Sequence, residues 1–147
     1  MSYVTSSDIE TRLGATAFVQ LTDDAGTGSA NLDVVDEARE GAEGEVNSYL
    51  AHRYAVPVDL SAHPDSAAWL KTVVLDLIEQ RLHARRPPVP EAIDAKRRAA
   101  LEWLERVAAG KVELPAATAP MPHPDRGFRA ASAGNTRVLS RDEMEGF

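Results

Sequence analysis

The sequence predicts an all-α fold: a small bundle of about four helices followed by an extended C-terminal tail. Three observations carry this. Apolar residues recur at steps of three and four through the first 110 positions, the spacing of one helix face. Aromatic residues make up only 5% of a chain that is 44% hydrophobic, so the core is built mainly from Ala, Val and Leu, which suits closely packed helices. From Lys111 onward, Pro115, Pro120, Pro122 and Pro124 are interleaved with small residues, and no helical period survives until residues 140–144. At 147 residues the chain can form one core and is too short for two ordinary domains. The expected organisation is a helical bundle over residues 1–110 and a Pro-rich docking tail over residues 111–147.

The first helix is short, with Ser6 or Ser7 as its cap, and stops near Gly14. One further turn is expected over residues 16–21, and a Gly-containing loop over residues 23–30. The second helix spans residues 33–53, roughly 30 Å at about 1.5 Å per residue. Val35, Ala38, Ala42, Val46, Tyr49, Leu50 and Arg53 fall on one of its faces. Pro57 biases Val56 toward extended backbone and cannot continue a helix, so Tyr49 and Tyr54 are expected to be buried where the chain turns away. The third helix starts after Pro64, with Asp65 or Ser66 near its cap. It buries Ala67, Leu70, Val74, Leu77, Ile78 and Leu82, then ends before Pro87-Pro88-Val89-Pro90. The fourth starts at Pro90 and runs through Ile93, Ala100, Trp103, Leu104 and Val107 to Gly110, which suits a left-handed C-terminal position. Trp103 is expected in the core, and Trp69 partly exposed where it can pack on a partner.

The residues exclude several chemistries. There is no cysteine, hence no disulfide, thiolate metal site or cysteine nucleophile. The four histidines, His52, His63, His83 and His123, are scattered without metal-ligand spacing. Gly26-Thr27-Gly28-Ser29-Ala30 has no lysine and follows no predicted strand, so it is not a phosphate loop. Ser48 and Ser66 have no nucleophile-elbow context. The most apolar stretch, residues 67–78, is broken by Lys71 and Asp76 and is too short to span a bilayer, and the N-terminus lacks a secretory pattern. A soluble protein without catalytic activity, cofactor or membrane partner is expected.

Charge is uneven. Residues 1–65 carry twelve acids and three bases, while residues 66–147 carry eleven acids and thirteen bases. Arg81, Arg85 and Arg86 precede the proline turn, and Lys96, Arg97 and Arg98 follow it. Two helices joined by a turn with basic flanks raise a DNA-binding alternative. The net charge of −7, a turn with three prolines and the length of the third helix weigh against it. The tail cannot bury enough apolar surface to fold alone. Its isolated apolar and basic residues, Phe128, Arg137, Val138, Leu139, Arg141, Met144 and Phe147, read as anchors that order on a partner.

The stretch Tyr49-Leu50-x-x-Arg53-Tyr54-x-x-Pro57 resembles one in short virion proteins of Mu-like phages and prophages. Other segments agree in order and spacing: Tyr3-Val4-Thr5 leading to Asp8 and Arg12; Leu21-Thr22-Asp23; Asp76-Leu77-Ile78 with Arg81-Leu82; Ala99-Ala100-Leu101 with Leu104; Gly110-Lys111-Val112-Glu113-Leu114; and Arg137-Val138-Leu139-Ser140-Arg141-Asp142 before Gly146-Phe147. Relatives tend to carry a tyrosine in place of Gln80 and another near Arg98, so packing between the last two helices is expected to differ from theirs.

The resemblance implies a structural role in the virion neck, at the head-to-tail junction, after assembly in the bacterial host cytoplasm. Such proteins are similar to head-tail adaptors, which form a ring, by analogy of twelve copies, beneath the portal and continue the DNA channel. The implied partners are further copies of the chain, the portal, a stopper or tail-completion protein, and DNA passing without sequence-specific contact. A tail-completion or stopper role is the alternative within the class. A cyclic ring needs a heterologous interface. Asp36, Glu37, Glu40 and Glu43 are therefore candidate contacts for Arg81, Arg85, Arg86, Arg97 or Arg98 of a neighbour. An acidic face would equally let DNA slide without adhering.

Overall fold

The computed structural model describes residues 2–115 as an all-α bundle of five helices. They are α1 (Ser6–Leu13), α2 (Ala15–Thr22), α3 (Leu32–Leu50), α4 (Pro64–Ala84) and α5 (Glu91–Ala108). The long helices α3, α4 and α5 pack mutually, and the short pair α1 and α2 lies across α3 and α4. None of these helices is long and apolar enough to cross a membrane.

Helix α1 is capped by Thr5, one residue before the expected serines. Thr5 forms a capping box with Asp8: its hydroxyl accepts from the Asp8 N–H, and the Asp8 carboxylate accepts from the Thr5 N–H. Gly14, at φ +81°, separates α1 from α2. The expected single turn is a full helix, because Phe18, Leu21 and Thr22 bury against the long helices and tertiary packing holds a segment too short to be helical alone. Asn31 caps α3 by accepting from the Asp33 N–H.

Five residues of the α3 face behave as the periodicity predicts: Val35, Ala38, Ala42, Val46 and Leu50 are buried. The helix ends at Leu50 and not at Arg53, since a tight turn over residues 51–53 redirects the chain. Tyr54 is buried by that turn, whereas Tyr49 is only partly buried at the helix margin. Pro64 opens α4, whose buried face adds Val73 and Leu75 to most of the residues predicted, while Ala67 is partly buried. Trp103 lies at the core's edge and not within it. Gly110 takes the left-handed conformation expected of it, φ +74°. The chain then folds back: Val112 packs against the core and Leu114 is buried within it.

Candidate functional site

Three of the segments that carry the sequence resemblance, around Tyr3, Tyr54 and Leu114, meet near the C-terminal end of α3. The Tyr54 hydroxyl accepts the backbone N–H of Leu114 at 2.9 Å in a buried setting. The Arg53 guanidinium lies over Gly110, leaving no room for a β-carbon there, and reaches toward Glu113 at 3.7 Å. On the other side the Tyr3 hydroxyl donates to Asn47 Oδ1 at 2.7 Å and accepts the Val58 N–H at 2.9 Å. Burial pushes the Tyr3 phenol up, against the lowering effect of the Val58 N–H. Two tyrosines therefore pin the N-terminal arm, the loop after α3 and the segment after α5 to one place. Tyr54 is buried where the chain turns away, as the sequence predicts, and the residue it holds there is Leu114, which no local pattern links to it. A leucine four residues beyond a helix-ending glycine, before a proline, was the available signal.

The candidate charge contacts are arranged within the chain as follows. Glu45 accepts from Arg81 at 2.8 Å and from Arg97 at 3.2 Å, tying α3 to both α4 and α5. Arg85 pairs with Asp24 and donates to the Leu21 carbonyl at 2.9 Å; Arg86 lies 3.5 Å from Asp24 and donates to the Asp23 carbonyl. Arg98 donates to the Asp94 carbonyl on its own helix. On α3, Asp36 pairs with Arg39 one turn on, and Glu43 receives the Ser2 hydroxyl and the Tyr3 and Val4 N–H groups. Glu37 and Glu40 remain exposed on α3, without an ion-pair partner among the described residues.

Arg81, Arg85 and Arg97, with Glu37 and Gln80, line a cleft of about 400 Å³ over Val34, Ala38 and Ala84. The Nε of Arg81 is buried there and finds no acceptor among the described residues. Gln80 donates to Asp94 across the α4–α5 contact at 3.4 Å.

A second charged network holds α1 to α4. Lys71 donates to Asp8 at 2.6 Å, and this ammonium, with the Thr5 N–H, lowers the Asp8 carboxyl to about 2. Arg12 pairs with Asp76 and lies 3.5 Å from Glu79, which also accepts from Lys96 at 3.2 Å. The Asp76 carboxyl is nevertheless pushed up, because burial outweighs Arg12 and Lys96. Among the described residues no group of three His, Asp or Glu side chains is placed to hold a metal ion. The candidate anchors Phe128, Arg137, Val138, Leu139, Arg141, Met144 and Phe147 lie outside the described residues.

A helical bundle laced by internal ion pairs, with a following segment pinned by Tyr54, defines a small all-α protein. The chain belongs to the bacteriophage Mu Gp36 family, whose profile matches residues 3–132. It is a Mu-like phage protein, virion-related and structural in class. Among curated proteins, none matches it.

Proposed function

We propose that this chain is a head-to-tail connector adaptor that assembles as a ring beneath the portal and continues the DNA channel, acting through assembly and not through chemistry. The observation that carries this reading is the fixed exit point: the Tyr54–Leu114 bond ties the end of the described bundle to one position, from which the remaining chain leaves. A wedge with a tethered arm suits a ring, because the arm adds contact with a neighbour without enlarging the folded core. The proposed partner-docking part of the arm is the segment from Arg137 to Phe147. Family membership supports the phage setting. The exposed Glu37 and Glu40 on α3 support a face that meets a neighbour's cations or repels passing phosphates. The engagement of Arg81, Arg85, Arg86 and Arg97 with acids of the same chain weighs against duplex binding by that cluster.

Native mass spectrometry of the purified protein, alone and mixed with the portal ring from the same source, tests the proposal. A fixed, symmetric number of added copies, twelve by analogy, is the expected result. Absence of binding to the portal overturns the adaptor role, and binding only to a preformed adaptor–portal complex moves the chain to the stopper position.

A further inference from the structure

Trp69 is 52% exposed, unusually open for an indole on a bundle helix. It meets Trp103 edge-to-face, with ring centroids 6.1 Å apart at 77°, across the α4–α5 contact. The exposed Ala99, four residues before Trp103 on the same side of α5, extends this apolar face. Asp65, four residues before Trp69 on the same side of α4, borders it without an ion-pair partner among the described residues. An aromatic pair bordered by a carboxylate has the make-up of an interaction hot spot.

We propose that this face is the docking site for residues 126–129 of the same chain, with Phe128 seated on the Trp69–Trp103 pair. The proposal goes beyond the connector reading and does not depend on it. Two observations favour this occupant. First, the segment Arg126-Gly127-Phe128-Arg129 complements the face: a phenyl ring for the indoles, and flanking guanidiniums for Asp65 and for an indole face. Second, the reach suits it. Phe128 lies fourteen residues after the pinned Leu114, a span of up to about 46 Å. Trp103 is seven residues, roughly 10 Å along the helix direction, before Gly110.

A short tether gives an effective concentration in the millimolar range, which favours a chain's own segment over that of a second molecule in dilute solution. Phe128 is thereby separated in role from Arg137 to Phe147: it holds the arm back on its own bundle and sets where the terminal segment starts.

The chain has two tryptophans, both on this face, so acrylamide quenching of intrinsic fluorescence reads it directly. The full-length protein is compared with Phe128→Ala and, as a control, Phe147→Ala. Quenching is expected to rise about twofold in Phe128→Ala, as an indole goes from covered to half-exposed. The control is expected to match the parent protein, and protection to be the same from about 1 to 100 µM protein, well below the tether's effective concentration. Equal quenching in Phe128→Ala and the parent protein overturns the proposal. Protection that grows with concentration also overturns it, assigning the face to a second copy. Should Phe128→Ala lower far-UV helicity, the double variant Arg126→Glu, Arg129→Glu becomes the deciding comparison, with the same expected direction. Portal binding is measured separately, so failure here is distinguishable from failure of the connector reading.

Discussion

Gly110 and Tyr54 show how much of this molecule rests on single atoms. At Gly110 the backbone is left-handed, and a β-carbon would sit 1.7 Å from Arg53 Nη1. Gly110→Ala therefore strains the backbone and displaces a guanidinium whose Nε is already without an acceptor among the described residues. A loss of about 1–3 kcal/mol in urea unfolding is expected. Tyr54→Phe keeps the ring in the core but orphans the buried Leu114 N–H, for an expected cost of about 1–3 kcal/mol. Faster hydrogen exchange of the Leu114 amide would identify the lost bond as the cause; an unchanged rate would refute it. The glycine was legible in the sequence because a left-handed stop has a residue preference. The tyrosine bond was not, since nothing in a local pattern links position 54 to position 114. Trp103 and Tyr49 were placed in the core by periodicity, yet lie at its margin: a helical stripe gives the direction of a side chain but not how far the neighbouring helix extends over it.

Among elements, the long helices were legible and their attachments were not. Helices α3, α4 and α5 follow from apolar spacing and proline punctuation, while α2 owes its full length to the surface on which Phe18 and Leu21 pack. The ion pairs joining elements are invisible to any one-helix reading. Glu45, which accepts from Arg81 and Arg97, was not singled out because its partners lie 36 and 52 residues away. Glu45→Ala is expected to cost about 1–2 kcal/mol, more than the ~0.2–1 of a single exposed pair, because two partly buried guanidiniums lose their acceptor. A double-mutant cycle with Arg81→Ala and Arg97→Ala should be non-additive, and strict additivity would refute the shared tie. Helix α1 offers a pH test. Its Asp8 is lowered to about 2 from 3.8, so its stabilising contribution is fully present above 3.8 and is lost as pH falls through about 2. Asp76 has the opposite sign: its raised carboxyl takes up a proton in the folded state first, which favours folding as pH falls toward 3.8. The stability difference between the parent protein and Asp8→Asn, followed by urea midpoint, should be greatest above pH 3.8 and shrink toward pH 2. A difference independent of pH would rule out the Lys71–Asp8 contact as the hold on α1.

At the scale of the whole molecule, the boundary between what folds and what docks decides the connector reading. A helical period ends at Gly110, but the core closes only when Val112 and Leu114 are in place. Removal of residues 111–147 should therefore weaken the bundle itself, whereas removal of residues 137–147 starts well past Leu114, the last buried residue among those described, and leaves every described core contact intact. The shorter deletion is the informative one. If the terminal segment docks on a neighbouring or portal subunit, the truncated protein keeps its far-UV helicity and its urea midpoint while portal-bound copies fall or vanish in native mass spectra. Phe147→Ala should reproduce part of that loss, because an aromatic anchor contributes disproportionately to a small interface. Helicity and attachment falling together would mean that the segment completes the fold instead of reaching outward. Undiminished attachment would place portal contact on the bundle, with the exposed Glu37 and Glu40 of α3 as the first residues to reverse in charge.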